Sequence, residues 1–297
     1  VVPDDVQLVG DLDGDGKADI VAWHPGNGTW SWLTSASGYT TLRTRQWGNS
    51  QLGDVPLLGD IDGDGKADLV IWRPTTGTWY WLTSSSGYAY ASAGGRQWGS
   101  AALGDVPLLA DLDGDHRADL VVWRASTGTW YSLPSSGGYQ YETADSRQWG
   151  NQSLGDQPLL GDLDGDGRAD LVVWRASSGT FEWLTSRSGY TRGLGKQWGS
   201  AAAGDVPLLA DMDGDGLSDL VVWRHSTGTW FWLTAFGGFK YQGQRQRQFG
   251  GSWRSEVPLP GDYDGDGRAA PAFWSATGTW FWLTSSGGYR AVSLIPQ

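Results

Sequence analysis

The chain contains no cysteine among its 297 residues. That excludes disulfide bonds, thiolate metal sites and thiol catalysis, and it is compatible with either redox compartment. A cysteine-free protein working outside cells must be stapled by something else. Methionine occurs once, histidine only as His24, His116 and His225, and glutamate only as Glu142, Glu182 and Glu256. The histidines sit in different contexts, so no Ser–His–Asp or Cys–His set is evident. No isolated carboxylate pair stands out for glycoside cleavage. The chain therefore reads as a non-enzyme, with no catalytic residue assigned. It lacks apolar runs long enough to span a membrane, so membrane insertion is not expected. Its first residues, VVPDDVQ, have neither the basic nor the apolar region of a signal peptide. If the protein is secreted, the expectation is a mature form.

Glycine (46 residues) and tryptophan (21 residues) are abundant, a balance that favours many short strands joined by glycine-rich turns. An acidic loop recurs six times, starting at Asp11, Asp60, Asp111, Asp162, Asp211 and Asp262, and its first copy reads DLDGDGKAD. Each copy sits at the same point of a repeat of about 50 residues, and such a period marks a repeat architecture. The repeats run approximately 1–53, 54–104, 105–155, 156–204, 205–255 and 256–297, read as one domain. The net charge of −12 is concentrated in these loops, which hold 23 of the 33 acidic residues and five of the 21 Lys and Arg, leaving 10 acids against 16 basic residues elsewhere. Six divalent cations would offset it. The acidity is local, and it gives no support to nucleic-acid binding.

The second repeat shows the strand pattern. Residues 55–59 form a short apolar run with Pro56 near its start, which suits an edge strand. Residues 69–73 (LVIWR) are β-branched and aromatic. Residues 78–83 (TWYWLT) alternate, with Trp79 and Trp81 on one face and Tyr80 on the other. Residues 88–99 can hold a fourth strand. Four antiparallel strands per repeat and no helix signal make a propeller blade, so the expected fold is all-β, a six-bladed β-propeller of four-stranded blades. An open β-solenoid is the alternative. The last repeat departs from the others, with Ala270-Pro271-Ala272 in place of Asp-Leu-Val and no QWG segment at its end. It is expected to close the ring against the first blade, with local differences there.

The loop pattern is D-x-D-G-D-G-x-x-D. Carboxylates at positions 1, 3, 5 and 9 can converge on one ion, position 7 would add a backbone carbonyl, and Gly at position 6 permits a sharp turn. The candidate ligand sets are Asp11, Asp13, Asp15, Lys17 and Asp19; Asp60, Asp62, Asp64, Lys66 and Asp68; Asp111, Asp113, Asp115, Arg117 and Asp119; Asp162, Asp164, Asp166, Arg168 and Asp170; Asp211, Asp213, Asp215, Leu217 and Asp219; and Asp262, Asp264, Asp266 and Arg268. All-oxygen ligation by carboxylates in a flexible loop suits calcium better than zinc or magnesium, so up to six Ca2+ ions are expected. It is not an EF-hand, because position 12 has no bidentate Glu and a strand follows. Position 2 is always apolar and is expected to pack inward. Site 3 has His116 at the glycine position, and site 6 has Ala270 at position 9 and is expected to bind most weakly.

These repeats resemble the FG-GAP or VCBS repeats of calcium-binding β-propellers, a group that includes the integrin α-subunit head, some fungal lectins and modules of secreted bacterial enzymes. Gln248-Phe249-Gly250 keeps the Phe-Gly pair, where other copies carry Trp47, Trp98, Trp149 and Trp198. The resemblance implies that each acidic loop joins the first two strands of a blade and holds calcium, which maps onto the aspartates above. It also implies an extracellular location.

Second-strand Trp23, Trp72, Trp123, Trp174, Trp223 and Trp274 are expected to be core. Third-strand Trp32, Trp81, Trp183, Trp232 and Trp282 are candidate sugar-stacking residues. Arg73, Arg124, Arg175 and Arg224 could bond sugar hydroxyls, or instead pair with the blade's own acids. The expected function is carbohydrate binding, as a lectin or an accessory module of a secreted enzyme, with glycans as partners. A protein-binding or adhesion scaffold that takes a surface protein is the alternative, and a polysaccharide lyase or hydrolase the third reading.

Overall fold

The computed structural model describes residues 5–251 and 256–295. The fold is an all-β six-bladed β-propeller, each blade a four-stranded antiparallel sheet with strands in chain order. The first strand of the second blade, Val55–Gly59, pairs with Asp68–Arg73, which pairs with Thr78–Leu82, which pairs with Gly94–Gln97. The fourth strand is shorter than residues 88–99, because Tyr88 takes a positive φ of 59° and Tyr90–Ser92 make a 3₁₀ turn. Ordered helix is confined to such short turns among the described residues.

The chain divides into two compact units, Val1–Asn151 and Gln152–Gln297. Each holds three blades. Within a unit, first strands of successive blades run beside one another, as Val6–Gly10 does with Val55–Gly59 and Asp156–Gly161 with Asp205–Ala210. The second strand is the most buried element of every regular blade, consistent with its run of Val, Leu and Ile beside a Trp. All six second-strand tryptophans are core, none more than 3% exposed. Hydrophobic contacts then join neighbouring blades. Trp23 and Trp32 share a cluster with Leu69, Ile71 and Tyr88 of the next blade, and Trp174 and Trp183 share one with Leu220 and Val222.

Blade 6 is the irregular one. Its first strand is reduced to Val257–Pro258 and its second to Ala272–Trp274, with an isolated bridge between Gly261 and Ala270. Pro271 lacks the N–H that a full ladder uses. Residues 1–4, 252–255 and 296–297, which include the chain start and the last residues of the segment without QWG, lie outside the described residues.

Candidate functional site

Each acidic loop joins the first and second strands of its blade. Its shape comes from its own carboxylates. Asp11 at position 1 accepts N–H bonds from Gly14 at 2.6 Å through Oδ1 and from Gly16 at 2.8 Å through Oδ2. The same pair of bonds recurs in all six loops, with His116 replacing the second glycine as donor in site 3. Position 6 needs a left-handed backbone. Gly16 has a φ of 80°, and His116 is forced to 64°. Position 2 packs inward in every copy, from Met212 at 1% to Leu112 at 8% exposure.

Position 9 is the most buried carboxylate. Asp19, Asp68, Asp119, Asp170 and Asp219 have no exposed surface, and each accepts two backbone N–H groups. Asp68, for example, takes Ile61 N–H at 2.8 Å and Ser84 N–H at 2.7 Å. It thereby ties the loop to the end of the third strand. Burial pushes these carboxyls up despite the bonds, to about 6 at Asp19, Asp68, Asp119 and Asp170 and about 7 at Asp219. Position 5 is held by a serine hydroxyl in five blades, as Ser84 Oγ donates to Asp64 at 2.8 Å. Ala235 takes that place in blade 5.

The carboxylates converge. Oxygens of Asp60, Asp62 and Asp68, of Asp162, Asp164 and Asp170, and of Asp211, Asp213 and Asp219 lie within 4.8 Å of one another, as do those of Asp11, Asp13 and Asp15 and of Asp111, Asp113 and Asp115. Position 3 is the least satisfied member. Both oxygens of Asp13, and Oδ1 of Asp164 and of Asp213, are buried without a hydrogen-bond partner. Burial and then the neighbouring aspartates raise the pKa of Asp164 and Asp213. Orphaned carboxylate oxygens pressed against like charges fit a hard cation, because an ion supplies both the missing partner and the missing charge. Site 4 differs from the other full sites. Arg168 binds Asp166 at 2.6 Å, and Arg187 stands 3.6 Å from Asp164. In site 6 the buried Ala270 removes the position 9 carboxylate from Asp262, Asp264 and Asp266.

The position 7 side chains vary in type but share one contact. Lys66, Arg117, Leu217 and Arg268 lie across the position 4 glycine of the preceding loop, so that a Cβ on Gly14 would meet Lys66 Cε at 2.8 Å and one on Gly214 would meet Arg268 Cγ at 2.9 Å. The next residue adds a backbone bond. Ala67 N–H donates to Asp11 O at 2.7 Å, and Ala118, Ser218 and Ala269 repeat it onto Asp60, Asp162 and Asp211. The glycine at position 4, present in all six copies, is the sequence trace of this contact.

The candidate sugar-contacting residues are corrected. Trp32, Trp183, Trp232 and Trp282 are 2–5% exposed, and Trp81 is half-buried. Trp32, Trp81 and Trp183 meet Tyr88, Tyr139 and Phe239 of the next blade at 5.3, 5.5 and 5.4 Å between ring centroids, and Trp282 stacks on Tyr263. Trp32, Trp81, Trp183 and Trp232 pack between blades and Trp282 within its own, and of the five only Trp32 also borders a cavity described below. Arg73, Arg124, Arg175 and Arg224 hold bidentate pairs with Asp54, Asp105, Asp156 and Asp205, whose side chains are fully buried. Their heads are committed, and Arg73, Arg124 and Arg224 also lie over Tyr80, Tyr131 and Phe231. Pairing with the blade's own acids was the alternative open to these arginines, and the constant spacing of 19 residues identifies the aspartates.

A second missed set is the tyrosine after the third-strand turn. Tyr39, Tyr88, Tyr139 and Tyr190 take positive φ and donate their hydroxyls to the carbonyls of Ala18, Ala67, Ala118 and Ala169 in the acidic loops. Between blades 1 and 2 lies a cavity of about 480 Å³, walled by Trp32 and Tyr88 and lined by Asp13, Arg43, Lys66 and Ser84. Between blades 5 and 6 lies one of about 370 Å³, lined by Asp213, Asp215, Phe236, Arg245 and Arg268.

The FG-GAP-like repeat family matches residues 11–71, 111–173 and 211–269, more than half of the chain. The chain belongs to the FG-GAP-like repeat family. Among solved structures it is similar to an Agrocybe aegerita lectin, described for specific recognition of non-reducing terminal N-acetylglucosamine, with 18% identity, a TM-score of 0.66, and coverage of 99% of this chain and 80% of the lectin. A TcdB2-TccC3-Cdc42 structure matches at 15% identity and a TM-score of 0.49, over 90% of this chain and 13% of that one. Apo AztD from Citrobacter koseri matches at 12% identity and 0.45, over 78% and 70%. None of the curated protein sequences matches the chain.

Proposed function

We propose that the protein is an extracellular, calcium-stabilised, carbohydrate-binding β-propeller, a lectin or the binding module of a secreted enzyme, in which the six repeats act as one domain. The observation that carries the reading is the cavity between blades 1 and 2. Its volume of about 480 Å³ is within the range of small-molecule sites, and it joins an aromatic wall to convergent polar side chains. Likeness of fold to a lectin agrees with it. Trp32 acts in this reading as the rigid wall behind the groove, and Arg43 and Lys66 as the groups that reach a sugar.

Calcium is assigned a structural role. The position 1, 3, 5 and 9 aspartates with the position 7 carbonyl would hold it, and the orphaned oxygens of Asp13 and Asp213 support this. A site with a dissociation constant of about 10 µM in about 1 mM calcium adds roughly 2.7 kcal/mol. Several such sites would do the work of disulfides in a chain that has none. We read the protein as acting by binding rather than turnover.

The test is a glycan array in millimolar calcium, repeated after chelation. Signal on a defined sugar that disappears on chelation supports the reading. A blank array from folded, calcium-loaded protein overturns it in favour of a protein-binding scaffold.

A further inference from the structure

The grooves between blades differ in charge at two positions. The first is the fourth-strand residue in register with the inner third-strand position, which is Arg43, Gly94, Asp145, Leu194, Arg245 and Val292 in blades 1 to 6. The second is position 7 of the following blade's acidic loop. Blades 1 and 2 bring together Arg43 and Lys66, and blades 5 and 6 bring together Arg245 and Arg268. Blades 4 and 5 carry Leu194 and Leu217 at these positions.

We propose, resting on the carbohydrate-binding reading, that the blade 1–2 and blade 5–6 grooves take the acidic group of an anionic saccharide, a carboxylate or a sulfate ester. In the blade 1–2 groove, Arg43, Arg45 and Lys66 stand against one lining carboxylate, Asp13. Arg43 and Lys66 form no salt bridge among the described residues. Arg45 donates to Gly87 O at 3.2 Å and lies over the Tyr90 ring, which leaves Arg43 and Lys66 as the available cations. Two unpaired cations on one groove are matched by a group that offers several negative oxygens. Burying a neutral sugar there would leave those charges uncompensated.

The blade 5–6 groove has the same pair of cations and one further feature. Phe236 at its edge is 84% exposed, the largest exposure among the big apolar side chains described. An open aromatic ring beside two guanidinium groups suits an acidic pyranose, whose C–H face and charged edge lie on different sides. Asp213 and Asp215 also line this groove, so its anion affinity is weaker than that of the blade 1–2 groove unless a cation is held in the loop.

The test uses three oligosaccharides of equal length in millimolar calcium: one with uronate carboxylates and no sulfate, one with sulfate esters and no carboxylate, and one neutral. Calorimetry compares the full chain, the Arg43→Ser/Arg245→Ser variant, and a charge-matched Arg192→Ser/Lys240→Ser variant. Arg43 and Arg245 are exposed, so their removal leaves the core intact. The expected result is about tenfold tighter binding of an acidic ligand than of the neutral one, lost in the groove variant, kept in the charge-matched variant, and weakened by salt. The acidic arm that binds identifies the group as carboxylate or sulfate. Equal binding of acidic and neutral ligands, or a preference that survives in the groove variant, overturns the proposal and leaves carbohydrate binding standing. Failure of all three ligands to bind overturns both.

Discussion

Asp219 accepts the Met212 N–H at 3.0 Å across its own loop, from a carboxyl with no exposed surface and a pKa pushed up by burial to about 7. Asp19, Asp68, Asp119 and Asp170 repeat this at about 6. Between the ordinary carboxyl value of 3.8 and these raised values, the folded state binds more protons than the unfolded one. Its stability therefore falls as pH rises through that window. Calcium should reverse the trend, because it binds the ionised form. The melting temperature in chelator is expected to fall from pH 5 to pH 7.5, and in millimolar calcium to hold or rise. A flat chelator profile would argue against buried, ionisable position 9 groups.

Chelation at pH 7.5 should lower the melting temperature sharply, since each occupied site contributes on the order of 2–3 kcal/mol. Site 6 lacks one carboxylate, and site 4 has Arg168 and Arg187 on two of its own. Calorimetric titration is expected to resolve a weaker class from the tighter sites. Asp264→Asn should leave the tight class unchanged, whereas Asp62→Asn should reduce it.

Arg73→Leu leaves the buried Asp54 carboxylate without its bidentate partner, and should cost about 3 kcal/mol. Arg73→Lys should cost less but not nothing, because an ammonium cannot span both oxygens. Urea unfolding of the two variants, with Arg73→Leu/Asp54→Asn as the double change, checks this. The double change is expected to recover part of the loss.

Trp183→Ala should cost about 3–5 kcal/mol, as a large core side chain against Phe239 is deleted. It should not act as a selective loss of ligand affinity in a fully stable protein. A folded, fully stable variant with abolished sugar binding would restore the stacking role rejected above.

His116→Gly removes a left-handed, Cβ-bearing residue at φ 64°, and is expected to stabilise by about 1 kcal/mol. The bond from residue 116 N–H to Asp111 is a backbone bond and survives the change. Thermal unfolding with and without calcium reads both effects.

The blades were legible because their cause is periodic. Leu69 to Trp72 and Trp79 to Leu82 declare strands by residue type and alternation, and the repeat multiplies a weak local signal. The acidic loops were legible for the same reason, down to the buried position 2. Tertiary pairing was not legible. Nothing local says that Arg73 turns back to Asp54, that Tyr88 reaches Ala67, or that Trp32 faces Tyr88. The tryptophans invited a sugar-binding reading because an indole has the same composition on a surface or inside. Only the next blade, which covers it, decides. Tyr88 likewise broke the expected fourth strand: its left-handed backbone closes a turn in which its N–H donates to Thr83 O, and Phe239 takes the same conformation with no hydroxyl.

The link between acidic loops within each unit uses the same four positions at every junction: a carbonyl at position 1, a glycine at 4, a side chain at 7 and an N–H at 8. Lys66 on Gly14 and Leu217 on Gly165 show that an ammonium stem and an isobutyl group fill the same space. Successive repeats within a unit are thus joined by one kind of socket and one kind of plug. A tandem copy gained or lost by unequal recombination would present matching ends to either neighbour, so the junction imposes little barrier to change in repeat number. Fourth-strand side chains facing the grooves, such as Arg43 and Arg245, are outside this constraint, whereas Lys66 and Arg268 serve junction and groove at once.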